Sequence, residues 1–490
     1  TTYPLSFCTP CNMWLPSFHA TQLLQLLCLQ VFVVKCGMSI HLFNPYQPPV
    51  YGFTLDNSID HYTYLMQNIS QHMKDYVTPY PQTYFGMYDQ KCAFPRGKVL
   101  GGTSAINYMI YNRGNRRDFD RWAQEGNYGW SYNEVLPYFK KSERAMLKGL
   151  ENSPYHNRNG NLNVEYVAYR TAPARAFLKG ARQAGYRKLD YNGESQVGTS
   201  YVQATTSRGV RHSAASAFLR PIMHNRPNLK ILINSHVKDY LFGKGLFTMI
   251  GGVESLTFYK SPNSQDPPDW PDAEIIQLGG SFASDEGAGV SRGMNIRRDI
   301  YEAVYKPLER YPTDHWSAFV MQFRPKSIGY LRLQDKNPWH WPKFYPNYFK
   351  YEEDLEILLE ATKEVIRISQ TPAMQAIGTR IWDRPLPNCA HLHFGTDDYW
   401  RCSIRTLSCT LHHQVGTCKM GLSSDPTTIV DPHLHVHGIQ RLRVADNSII
   451  PYPITGHTNA VSFMIGEKCA DMIKADWVDE RMQKTKITFH

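Results

Sequence analysis

The sequence predicts an α/β (α+β) fold of two or three domains, and three observations predict it. Stretches with helical periodicity recur along the chain, strand-like runs separate them, and a glycine-rich loop at 94–114 stands at the head of the patterned part. A chain of 490 residues can bury more than one core. With 42% hydrophobic and 13% aromatic residues the composition is that of a globular chain, not a disordered one.

Each element has its own signal. Residues 1–84 carry no clear periodicity, only a loose mix of Pro, Tyr and Gln. In "DRWAQEGNYGWSYNEVLPYFKKSE" the pair Ser131 and Glu134 forms a capping box, and Val135, Leu136 and Phe139 fall on one face of the helix that follows. "RHSAASAFLRPIM" reads as a short helix stopped by Pro221. "NLKILINSHVKDYLF", residues 228–242, alternates as a strand does. Residues 262–272 are rich in Pro and Asp and read as a connector. Leu355, Leu358, Leu359, Val365 and Ile366 recur at helical spacing over 352–370, with Pro372 closing the helix. Beyond Trp400 strand-like runs alternate with tight turns, and a helix starts near Asn459.

The bulk charge excludes one class of partner. Fifty-three basic residues against 43 acidic ones give a net charge of +10, spread over the chain without an arginine- or lysine-rich run, so no nucleic acid is expected. Ten cysteines in 490 residues do not make a small disulfide scaffold, and Cys8 and Cys11 form a lone C-x-x-C without a second pair. Asn68-Ile69-Ser70 is a glycosylation sequon. The apolar run 22–34 is too short to span a bilayer, so no membrane span is expected. It reads as a signal-peptide core or as a buried strand or helix; the expected location is extracellular, otherwise cytoplasmic. A chain that opens on Thr1 without methionine reads as a fragment.

Two stretches carry chemistry. In "FPRGKVLGGTSAINYMIYNRG", Gly101 and Gly102 allow close backbone approach to an anion, Thr103 and Ser104 add hydroxyls, and Asn107 can bond a heterocycle edge. The loop reads as a pyrophosphate or flavin cradle, or as a tight turn before a strand. In "LHHQVGTCKMG" and "TGHTNA", His413 and His457 lie 44 residues apart, each at the end of an apolar run. Two imidazoles meeting at one pocket suit removal of a hydroxyl proton while hydride leaves the same carbon, because histidine titrates near working pH. A lone histidine is ordinarily a satisfied structural residue. His433, His435 and His437 alternate as on one strand face, but no Cys or carboxylate completes a metal set nearby, so no metal is expected.

With those residues in view, "GKVLGGTSAINYMIYNRGNRRDFDRWA" resembles the first signature of the glucose–methanol–choline (GMC) flavoprotein oxidoreductases. Gly97, Leu100, Gly101, Gly102, Thr103, Ser104, Ile106, Asn107, Tyr111, Gly114 and Asp120 fall on that pattern. The resemblance implies FAD as cofactor, held by Leu100, Gly101, Gly102, Thr103, Asn107, Tyr108, Met109 and Ile110, by Val237 near the adenine end, and by Asp446, Asn447, Thr458 and Asn459. It makes His413 the base and His457 the second position of the pair, with His412 a neighbour. "DWPDAEIIQLGGSFASDEG" and "SIGYLRL" resemble the substrate half of the FAD-dependent, quinone-accepting glucose dehydrogenase branch. The implied reaction is oxidation of an alcohol or sugar at a CH–OH group, hydride passing to flavin and electrons then to a quinone-like acceptor. The alternative is a catalytically inactive or incomplete relative acting as a binding or structural module.

The resemblance implies a Rossmann-like FAD/NAD(P)-binding domain interleaved with a substrate domain built on an antiparallel sheet with helices. The boundaries expected are an atypical region at 1–84, FAD-binding parts at 85–242 and 420–478, a substrate-binding part at 243–419, and a tail at 479–490. The sequence departs from the pattern twice. "VFVVKCG" at 31–37 is a strand followed by one glycine and not by GxGxxG, and "GAGVSRG" at 287–293 has the wrong spacing and reads as a loop. Between "NSHVKDYLF" and "GKGLFTMIGGVESLTF" an interior segment is missing. Both pieces serve the adenosine half of FAD, so flavin affinity is expected to fall and a sheet edge to be left open.

Overall fold

A computed structural model describes residues 83–487 except 95–99, 168, 223–224, 227–251, 285, 288–289, 311–314, 338–339 and 341, with the side chains of 290 and 478–487 also outside the description. Most of the expected atypical region, the strand at 228–242 with Val237, and the sequon at Asn68 therefore lie outside the described residues.

One unit is a helical layer. Helix α1, Arg116–Gln124, is capped by Asn115, whose side chain accepts from the Arg117 N–H while Asp118 reaches back to the Asn115 N–H. Helix α2, Tyr132–Ser142, starts at the expected capping box: the Glu134 carboxylate accepts from both the N–H and the hydroxyl of Ser131. Helix α6, Thr458–Ile487, packs across them. Phe119, Trp122, Trp130, Val135 and Phe139 interlock there with Val461, Met464 and Ile465, all essentially without solvent contact. Burial of such side chains contributes roughly 1.5–3 kcal/mol each, which makes this layer the firm base of the site.

Beside it a short strand pair, β1 (Glu143–Ala145) and β2 (Leu162–Tyr166), runs parallel and is the only parallel ladder among the described residues. A buried polar chain ties this region together. The Arg113 guanidinium donates to the Glu143 carboxylate at 2.8 Å, and the His156 ring lies 2.8 Å from Glu143 and 2.9 Å from Asp190.

The second unit is the antiparallel sheet expected from the resemblance. Strands β3 (Thr199–Tyr201), β4 (Val253–Tyr259), β5 (Ala273–Leu278) and β6 (Ser317–Gln322) lie in the order β3-β4-β5-β6, every pair antiparallel. The Pro- and Asp-rich segment is the connector between β4 and β5. Side chains alternate across the pleat. Ile275 faces helices α3 (Ala172–Gln183) and α4 (Glu352–Ser369) through Phe177, Ala181 and Ile368. Ile276 and Leu278 face the opposite way, into a cluster with Tyr108, Met109 and Leu411. That opposite face is where the site lies.

Several expectations need correction. Helix α4 ends at Ser369, and Pro372 opens the next short helix, Pro372–Gln375, where its missing N–H costs nothing. Within the segment read as a loop at 287–293, Val290–Gly293 forms a helical turn. Past Trp400 the first element is helical, because α5 spans Asp397–Leu407; Thr396 caps it by accepting from the Tyr399 N–H. The runs beyond it meet only in isolated bridges, such as His435 with Arg443. Leu434, with φ of 69°, interrupts the strand expected for the three alternating histidines, although Leu434 and Val436 are buried and the imidazoles stay outside. Cys402, in the middle of α5, forms a disulfide with Cys389 ahead of the helix, a pairing the sequence spacing did not mark.

Candidate active site

His413 and His457 meet. Their ring centroids are 4.9 Å apart with the planes at 90°. His412 adopts a left-handed φ of 65°, which turns the backbone at that point, and it is the next ring, His413, that faces His457. Of the two adjacent histidines, His413 is the one whose ring packs against His457.

His457 is fixed from the peptide that precedes it. The Asp118 carboxylate accepts from the Thr455 N–H at 2.8 Å and the Thr455 hydroxyl at 2.9 Å, and from the Trp270 indole at 3.0 Å. Gln196 donates to the Thr455 carbonyl, and Arg324 donates to the Thr455 hydroxyl while stacking 4.3 Å over Trp270. Burial pushes the Asp118 carboxyl up in spite of these donors. Gly456 comes next because an added Cβ there would overlap the Asn112 side chain. Helix α6 then begins at Thr458, so its positive end lies beside His457.

One partner was missed by the sequence reading. Glu274 on β5, fully buried, places a carboxylate oxygen 3.0 Å from His457 Nε2, although the two are not aligned as a hydrogen bond. By the pleat Glu274 shares its face with Ile276 and Leu278, the face turned toward the loop residues. An acid inside "AEIIQL" is the only signal the sequence offers for it.

His413, Gln414, Tyr452, Gly456 and Thr458 line a cavity of about 2100 Å³ walled on the far side by aromatic residues including Phe323, Tyr345 and Phe349. The volume exceeds the ~300–1,000 Å³ of a site for a small ligand alone. His457 stands just behind the wall, 7% exposed.

The glycine loop is not among the residues lining that cavity and meets the His413 segment through an apolar cluster. Gly101 and Gly102 have φ of 95° and 58°, and Gly102–Ala105 forms a single tight turn. Ser104 ties the loop down by accepting from the Ala214 N–H and donating to the Gly101 carbonyl. Asn107 accepts from the Met109 N–H and from Arg211. Tyr108, Met109 and Ile110 share one apolar cluster with Leu411, two residues before His413. Leu100 and Thr103 are half-buried at the same turn.

Whether these residues suit a flavin is answered by the donor set. A Cβ at Gly102 would meet nothing within 4 Å, so the cradle is open, and the buried Asn459 Nδ2 at the head of α6 has no partner. An open cradle and an unpartnered N–H donor fit the hydrogen-bond acceptor edge of a flavin ring. Asp446 and Asn447 are turned inward: Asp446 accepts from the Ser448 N–H, and Asn447 accepts from Ser462 on α6.

Comparison with known proteins agrees with this geometry. Models of the GMC oxidoreductase family match residues 43–257 with the N-terminal part and 325–466 with the C-terminal part. The chain is 32% identical to glucose dehydrogenase (FAD, quinone) of Drosophila melanogaster over 81% of this chain and 77% of that one. It is 29% identical to the mitochondrial choline dehydrogenase of Mus musculus over 79% and 77%. Among solved structures it is similar to pyridoxine 4-oxidase from Mesorbium loti, with a TM-score of 0.63 at 20% identity over 80% and 86% of the two chains. A variant of Aspergillus oryzae formate oxidase has the same score at 19% identity over 84% and 90%. The paired histidines, the open glycine loop and these matches together make the chain a member of the glucose–methanol–choline oxidoreductase family, FAD-dependent enzymes that oxidise CH–OH groups.

Proposed function

We propose that the protein oxidises an alcohol or a sugar at a CH–OH carbon and hands the electrons to a quinone-like acceptor. The observation that carries this reading is the 4.9 Å approach of the His413 and His457 rings at the cavity wall. His413, which lines the cavity, accepts the hydroxyl proton. His457 donates a hydrogen bond to the oxygen as it gains negative charge, with the Glu274 carboxylate 3.0 Å from its Nε2. When bound, FAD supplies the hydride acceptor. Leu100, Gly101, Gly102, Thr103, Asn107 and the Thr458–Asn459 end of α6 are the residues that would hold it, and the open loop with its unpartnered Asn459 amide supports that assignment. Val237 is proposed for the adenine end on sequence alone.

The quinone acceptor follows the Drosophila relative, whose name carries it. An extracellular location is supported by the Cys389–Cys402 disulfide, a bond favoured in oxidising compartments. No helix among the described residues is long and apolar enough to cross a membrane.

The sequence lacks the GxGxxG turn that grips the pyrophosphate, and this favours a second reading, an inactive relative that keeps the fold for binding. The colour of the purified full chain separates the two. A yellow protein whose visible flavin band bleaches anaerobically on addition of glucose or a simple alcohol supports the enzyme. A protein that stays colourless after incubation with FAD supports the second reading.

A further inference from the structure

Away from the two histidines, the cavity wall holds a pair of thiols. Cys92 is buried in a cluster with Tyr84, Met87 and Phe94, against which Cys409 packs. Cys409 is thus packed on the cluster that holds Cys92, and the N–H of its neighbour Thr410 donates to Cys92 Sγ at 3.3 Å. Cys409 itself lines the cavity and is half-buried, whereas Cys92 is 1% exposed and does not line it. The two belong to segments far apart in sequence. Cys92 leads into the glycine loop, and Cys409 lies four residues before His413.

We propose that Cys92 and Cys409 are a redox modification site: a dithiol that a low-molecular-weight disulfide entering the cavity converts to an intramolecular disulfide. The Cys409 thiolate attacks one sulfur of the small disulfide, forming a mixed disulfide and releasing one small thiol. The Cys92 thiolate then attacks Cys409 Sγ and releases the second small thiol. Two protein thiols are oxidised, one small disulfide is reduced to two thiols, and the protons lost by the cysteines appear on those products. The thiols are suited to this order, because the Cys92 thiol holds Cys409 below the usual thiol range while burial holds Cys92 above it.

The bond would close a second clasp around α5. The Tyr84 and Gly86 N–H groups already donate to the carbonyls of Arg405 and Thr406 at the end of that helix, and the Cys389–Cys402 disulfide holds its middle. A Cys92–Cys409 bond would fix the exit of α5 and the approach to His413 onto the segment that enters the glycine loop. Cys418 and Cys469, both buried and both free cysteines, serve as internal controls.

The test uses the full chain equilibrated with glutathione and glutathione disulfide at several ratios, quenched, alkylated under denaturing conditions, digested without reductant and analysed by mass spectrometry. The expected result is a cross-linked peptide joining Cys92 to Cys409, formed at ratios that leave Cys418 and Cys469 alkylated, and absent from Cys92→Ser and Cys409→Ser. Cys92→Ser should instead accumulate the glutathione adduct on Cys409. Alkylation of both cysteines at every ratio in protein shown by thermal melting to be folded would overturn the proposal, as would bridging of either to another cysteine of the chain.

Discussion

At the residue scale the site depends on where two rings stand. The motifs made His413 and His457 legible because each follows an apolar run and sits in a signature whose spacing matches a known pattern. Glu274 was not legible. It reaches His457 across 183 positions by strand alternation, and nothing in the local spacing of "AEIIQL" distinguishes it from a surface acid at a strand end. The role given to His457 carries a prediction. His457→Ala should lower kcat for alcohol-dependent flavin reduction by about 10²–10³-fold, the usual effect of deleting one donor to a developing oxyanion. Stopped-flow bleaching measures it, and a variant that changed KM alone would remove His457 from that role.

At the element scale the capping boxes and amphipathic faces were read correctly. The helix at Ser131–Glu134 and the helix over 352–370 stand where the pattern put them, because capping chemistry and 3.6-residue spacing are local. What failed was non-local. The run past Trp400 continues a helix whose cap, Thr396, lies ahead of it and whose middle is tied by a disulfide to Cys389, and hydrophobic alternation within the run shows neither. The polar chain between β1 and the following loops gives a pH prediction. Burial opposes charge on His156, but the hydrogen bonds it donates to Asp190 and Glu143 outweigh this and hold its pKa above the ordinary value. Its contribution to stability is therefore complete below an unfolded value of about 6.5 and is lost as pH rises through the folded value. Asp190, buried yet held below the ordinary range by His156, contributes above its unfolded value and loses that contribution as pH falls through its folded one. Thermal melts across about pH 4–9 should show the advantage of the native chain over His156→Asn greatest between these two limits. A difference independent of pH would show that His156 acts by packing alone.

At the scale of the whole molecule the antiparallel sheet and the helical layer bring the two histidine segments together, and the family resemblance anticipated the sheet. The order β3-β4-β5-β6 could not be read from the sequence, because β3 pairs with β4 across more than fifty residues. The missing GxGxxG turn has its consequence at this scale too. With the loop and the head of α6 present but the pyrophosphate turn absent from the sequence, FAD should be held weakly. Added FAD should then raise Tm progressively over a range well above the protein concentration, by mass action on the folded state. Saturation at one equivalent would show that the adenosine half is gripped after all.

The account rests on His413 as the group that takes the hydroxyl proton at the cavity wall. The most direct measurement is anaerobic bleaching of the visible flavin band by an alcohol substrate in FAD-loaded native protein and in His413→Ala, with flavin content and Tm matched. The account predicts that His413→Ala keeps its flavin and bleaches about 10²–10⁴-fold more slowly. Bleaching at the native rate in that variant would contradict it.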